Sequence, residues 1–227
     1  MKLAIGLGKS PHKAVVAAVF ACATAWSGLA SASLLTSGAT IAASSAADIG
    51  GTQLAADLAE TITPNGPAGL VGTLTSYVDV NDSSNPYYSP SAPGELTFIF
   101  QIANSGSSAS EVQTLSLNGF TGYSINASYI SGAGLTAPVL ISRPSGGGVD
   151  VVKFSFSPSN FGAGVTSTEL VLQTNATQFA ASTAAINGTG PLQGNAPTFM
   201  PTPEPSSLML ASMAAVLLGI GWRRRRS

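Results

Sequence analysis

From Leu70 onward the chain alternates apolar and polar positions with a period of two. Leu70, Gly72, Leu74, Ser76, Val78 and Val80 fall on one face; Val71, Thr73, Thr75, Tyr77 and Asp79 fall on the other. Such alternation is the pattern of a half-buried strand. The clearest run covers residues 95–103, where Leu96, Phe98, Phe100 and Ile102 face one way and Glu95, Thr97 and Gln101 the other. Further strands are expected over residues 112–117, 123–130, 139–142, 149–157 and 169–174, and a last one over 178–186. Residues 81–94 are rich in Asn, Ser, Pro and Gly and read as a long loop. Asn104-Ser105-Gly106-Ser107-Ser108 marks a turn, and Gly146-Gly147-Gly148 a tight reversal.

Seven or eight short strands separated by Gly, Pro and Asn turns predict an all-β fold, an antiparallel β-sandwich over residues 52–192. Residues 53–62 are ambiguous. Leu54, Leu58 and Ile62 have helical spacing, whereas Leu54-Ala55-Ala56 could enter a strand. Residues 33–51 are mostly Ala, Ser, Thr and Gly and are expected to be a low-complexity lead-in, too poor in large apolar groups to offset chain entropy. Residues 193–202 are expected to be a linker. Helices are expected only at the two ends.

The N-terminal end has the layout of a signal peptide over residues 1–32. Lys2, Lys9 and Lys13 form a basic region, residues 14–29 are apolar, and Ala30-Ser31-Ala32 supplies the small-x-small exit. Cleavage by signal peptidase is expected after Ala32. A rival lipoprotein site at Cys22 is disfavoured by Phe20 and by the lack of a Leu three residues before the cysteine.

The other end reads Pro203-Glu204-Pro205, then an uncharged apolar run, then Arg223, Arg224, Arg225 and Arg226. Residues 206–222 would reach roughly 25 Å as a helix, a thin span for a hydrocarbon core of about 30 Å. Trp222 is interfacial by type, and the four arginines form a membrane stop on the cytoplasmic side. Pro203 and Pro205 prevent the helix from continuing upstream. In this order, motif, short span and Arg cluster resemble the PEP-CTERM sorting signal of Gram-negative bacteria, here over residues 203–227. The resemblance implies processing by exosortase near Pro203-Glu204-Pro205. It also implies a transient inner-membrane intermediate and final placement at the cell surface or outside the cell, often beside exopolysaccharide. Segments 72–75, 96–100 and 170–177 more loosely resemble domains paired with such tails, which supports the sandwich and implies no activity.

Setting the two signals aside changes the electrostatic picture. The chain holds 9 Lys+Arg and 10 Asp+Glu, but only Arg143 and Lys153 lie between residues 33 and 203. Nine acids lie there, so two against nine leaves the body at −7. Such a body has no basic surface for nucleic acid. The single His (His12) and single Cys (Cys22) are both in the leader. The body therefore lacks Ser-His-Asp and Cys-His catalysis, Cys/His zinc sites and disulfides. No cofactor is expected.

Two candidate sites remain. Asp79, Asn81 and Asp82 begin an oxygen-rich stretch that could take calcium, although the sixth-position Gly and closing Glu of an EF-hand loop are missing and turns use the same residues. Tyr87 and Tyr88 in the long loop could form a sugar platform, or simply pack. The nine acids carry no carboxylate-pair motif for glycoside hydrolysis. The chain is thus expected to be a non-enzymatic surface or extracellular-matrix protein associated with exopolysaccharide or biofilm. The alternative is a polysaccharide-binding module, with or without calcium.

Overall fold

A computed structural model describes residues 32–46, 49–65, 69–145 and 150–202. The leader up to Ser31, with Ala30, and the tail from Pro203 onward, with its motif, apolar span and arginines, lie outside the described residues. Among the described residues no helix is long and apolar enough to cross a membrane.

The described residues form fourteen strands: β1 (Ser33–Leu34), β2 (Thr40–Ala42), β3 (Ser45–Ala46), β4 (Thr52–Thr61), β5 (Thr63–Pro64), β6 (Gly72–Val80), β7 (Leu96–Asn104), β8 (Val112–Leu117), β9 (Ile125–Ile130), β10 (Leu140–Ser142), β11 (Val152–Ser155), β12 (Glu169–Thr174), β13 (Phe179–Gly188) and β14 (Gln193–Pro201). They make two sheets. The first has the order β1-β9-β12-β7-β6-β4, with β3 also on β9; the second has the order β2-β10-β11-β8-β13-β14-β5. All pairings are antiparallel except β3 with β9.

The inward sides of both sheets share one apolar core. From the first sheet come Leu74, Val78, Leu96, Phe98, Phe100, Ile102, Leu170 and Leu172; from the second come Leu115, Leu117, Ile141, Val152, Phe154 and Ile186. This is the arrangement expected of a sandwich, and the alternation read from residues 70–80 and 95–103 points the expected residues inward. Burying one such side chain contributes about 1.5–3 kcal/mol. Edge-to-face ring pairs add to the core: Phe98 and Phe120 at 5.6 Å, Phe156 and Phe161 at 4.7 Å.

Of the two readings of residues 53–62 the strand is the one formed: β4 (Thr52–Thr61) pairs along β6 with two register shifts, so the spacing of Leu54 and Leu58 reflects bulges and not a helical face. Two expectations are corrected. The expected lead-in over 33–51 carries β1, β2 and β3, which pair with β9 and β10, and its Leu35 is fully buried. The expected linker over 193–202 is β14, paired with β13 from Asn187↔Gln193 to Phe179↔Pro201. Its prolines are tolerated because β14 lies near the sheet edge, with only Gly194 and Asn195 paired on the far side.

These corrections bring the fold up to both expected processing points. Ser33, the first residue after the expected signal-peptidase cut, opens β1. Thr202, the last residue before Pro203, still donates its amide to the Gln178 carbonyl at 3.0 Å.

Candidate functional site

On the side of the first sheet away from the core, one register row is polar almost from edge to edge. It runs through Gln53 of β4, Asp79 of β6, Thr97 of β7, Gln173 of β12 and Asn126 of β9, and ends at Leu34 of β1. The 81–94 loop is hydrogen-bonded down onto this row. Asn85 is buried and its Nδ2 donates to the Leu96 and Thr174 carbonyls and to Thr97 Oγ1.

Asp82 is fully buried beneath the loop. Its Oδ1 accepts from the Ser84 amide at 2.9 Å, Ser84 Oγ at 2.6 Å and the Gly50 amide at 3.4 Å. Its Oδ2 accepts from Thr97 Oγ1 at 3.0 Å and Gln173 Nε2 at 3.1 Å. Burial pushes its pKa up, but the hydrogen bonds from Ser84, Gln173 and Thr97 outweigh burial and hold it below the usual carboxylate value. A cation would have to displace these donors, because an ionised carboxylate offers it only lone pairs. Asn81 is exposed and turns the chain at φ 59°. Among the described residues no group of three or more His, Cys, Asp or Glu could hold a metal ion.

Asp79 is only 7% exposed. The bare backbone of Gly51 passes directly over it; a β-carbon there would run into Asp79 Cβ and Cγ. Burial first, then the charges of Asp82, Glu169 and Asp57, push the Asp79 carboxyl up to about 6. Tyr77, two residues earlier on the same face, donates to Glu169 Oε1 at 3.3 Å. Burial and the neighbouring Glu169 and Asp79 charges hold its phenol above the ordinary value.

Tyr87 and Tyr88 do not form an open aromatic platform. Both are half-buried. Tyr87 takes its amide to Asn85 Oδ1 and its hydroxyl to Asn126 Oδ1 at 3.4 Å. Tyr88 is held in the same turn by its amide on the Asn85 carbonyl. Burial raises the Tyr87 pKa, and Arg143 partly offsets this. The loop tyrosine therefore lies within electrostatic reach of the arginine described next.

Arg143 is the functional-looking residue that sequence patterns passed over. It follows β10, is 4% exposed, and clamps three chain segments. Its Nη1 donates to the Tyr123 carbonyl at 2.9 Å and the Leu35 carbonyl at 3.3 Å. Its Nη2 donates to the Phe120 carbonyl at 2.7 Å and pairs with Asp150 Oδ2 at 3.0 Å. Asp150 in turn accepts from Ser37 Oγ at 3.1 Å through Oδ1, and its amide donates to Thr121 Oγ1. The backbone of Arg143 is also tied to Gly38 and Ala39. The one sequence signal was scarcity: as one of two cations in a body with nine acids, Arg143 had to be partnered. Around it, the 34–37 segment, the 122–125 segment and Asp150 line an open depression of about 340 Å³.

Comparison with curated proteins and with solved structures gives no match. A model of the PEP-CTERM protein-sorting motif matches residues 201–226. It begins on the last residue of β14 and includes Pro203-Glu204-Pro205 and the four arginines. The motif implies sorting by exosortase, export, and a location at the cell surface or outside the cell. Directly after its last strand the chain thus carries a PEP-CTERM protein-sorting motif.

Proposed function

We propose that this is a non-enzymatic surface or extracellular-matrix protein, associated with exopolysaccharide or biofilm and processed near Pro203-Glu204-Pro205. Signal peptidase removes the leader after Ala32, and residues 206–222 hold the chain in the inner membrane until exosortase acts. The observation that carries the reading is the match of the sorting motif at residues 201–226, joined without a spacer to a strand of the body. Two features support a structural role. The body between residues 33 and 203 has neither His nor Cys. The best-buried carboxylate among the described residues, Asp82, is saturated by five donors and is not available for proton transfer.

Fractionation of a producing culture tests this reading. The protein should be found with the matrix polysaccharide and be released when that polysaccharide is digested. Recovery only in the inner membrane, or indifference to digestion, would count against it. A panel of glycoside and ester substrates should show no turnover by the purified chain.

A further inference from the structure

The association with polysaccharide proposed above needs a surface, and the loop tyrosines do not form one by themselves. We propose that the depression beside Arg143, extended over Leu34 toward Tyr87, binds a segment of neutral polysaccharide. This rests on the matrix reading and deepens it by naming the site and the ligand class.

The shape and lining fit a sugar. A sugar ring presents an apolar C–H face and a rim of hydroxyls, so its sites pair an apolar or aromatic wall with a few convergent polar groups. Here the exposed Leu34 and the half-buried Tyr123 form such a wall, and Leu34 is 58% exposed, one of the few large apolar side chains among the described residues left in solvent. Ser37 and Asp150 stand at the polar side, already linked at 3.1 Å. The mouth is open, which suits a chain passing through better than a small molecule enclosed.

The charges select the ligand. The Arg143 guanidinium is paired with Asp150 and engaged with three carbonyls, so it presents no free positive charge to an anion. With a body at −7, a polyanionic polymer is repelled. A neutral, hydroxyl-rich ligand meets neither obstacle. Arg143 has a positioning role: by holding the carbonyls of Leu35, Phe120 and Tyr123 and the carboxylate of Asp150, it fixes both walls before binding.

The surface continues beyond one ring. Leu34 sits opposite Asn126 in register, and Asn126 accepts the Tyr87 hydroxyl. Tyr87, Asn126 and Leu34 therefore form a strip leading into the depression.

The test uses the full chain in a polyoxyethylene ether detergent, which carries no sugar headgroup. The probes are β-1,4-linked glucose, mannose and galactose hexasaccharides and an oligouronate of similar length, titrated by calorimetry and by NMR. At least one neutral hexasaccharide should bind, and the uronate should not. Leu34→Asp should weaken binding by about tenfold or more. Leu54→Asp, at a leucine 53% exposed on β4 at the opposite edge of the same sheet, should change it by less than about twofold. Binding that is indifferent to Leu34→Asp would overturn the site while leaving polysaccharide association standing. Failure of all three neutral probes, or preference for the uronate, would overturn the proposal, and the matrix fractionation would then decide the association separately.

Discussion

Replacing Arg143 by Met should destabilise the body more than almost any other single change outside the apolar core. Met keeps most of the stem's volume and removes the fork. The carbonyls of Leu35, Phe120 and Tyr123 lose their donor, and Asp150 loses its cation. At about 1.5–3 kcal/mol for each charged hydrogen bond, simple addition would exceed the stability of many whole domains. That sum is too large, because Asp150 is partly exposed and water can reach it once the fork is gone. Breaking a buried pair by removing one partner costs about 3–5 kcal/mol, and this is the expected range. For a domain of about 150–250 residues it corresponds to a melting temperature lower by roughly 6–20 °C. Arg143→Lys should fall between, since an ammonium can meet Asp150 but cannot reach three carbonyls in two directions. Asp150→Asn should cost less, and the double variant should show coupling of about 1–3 kcal/mol. Circular-dichroism melts and urea midpoints read all four. If Arg143→Met melts within about 2 °C of the parent, the clamp is not a stabilising element and the reasoning fails.

Further expectations follow from the polar row. Asp82→Ala strands the donors of Ser84, Thr97 and Gln173 and should cost about 3 kcal/mol or more, with faster amide exchange across residues 81–94. Because the folded pKa of Asp82 is depressed, its contribution is present above the unfolded value near 4 and is lost as pH falls below it. Asp79 has the opposite sign. Its folded pKa, raised to about 6, makes the ionised carboxylate unfavourable in the fold, so stability from this group rises as pH falls from about 6 to about 4. Asp79→Asn should stabilise the protein at pH 7 by about 1–2 kcal/mol and flatten the pH profile in that window; a loss of stability at pH 7 would contradict the burial argument. Millimolar calcium should leave the melting temperature unchanged, since Asp82 has no oxygen free to coordinate; a rise of several degrees would restore the calcium reading.

What was legible in the sequence is what carries large apolar side chains at alternate positions. β7 and β12 show this: Leu96, Phe98 and Phe100, and Leu170 and Leu172, point inward as their spacing requires, and β8 and β12 keep the expected bounds. β1, β2 and β3 are two or three residues long, with Leu34 and Ile41 their only large apolar residues, so their own pattern is silent; they become strands because β9 and β10 offer unpaired edges to them. β14 was hidden by Pro197 and Pro201, which read as linker and are accommodated at a nearly free edge. The candidate site was legible only in part. The Asp82 region was seen as a cluster of oxygens, but its donors arrive from Thr97 and from Gln173, 91 residues away, and long-range partners leave no local signature. Tyr87 was placed in the right loop, yet its neighbour Asn126 and the nearby Arg143 could not be read from spacing. Arg143 itself sits in no motif, because its partners are mostly carbonyls, which every residue has.

The sorting claim has the most direct test. One epitope tag goes into the exposed turn at Gly106, which leaves β1 and β14 undisturbed, and another goes after Ser227. Both are followed in cells with and without exosortase. The account predicts that the surface or released form keeps the Gly106 tag, lacks the Ser227 tag, and disappears in favour of a doubly tagged inner-membrane form when exosortase is absent. A mature surface form that still carries both tags, or that is made equally well without exosortase, would contradict it.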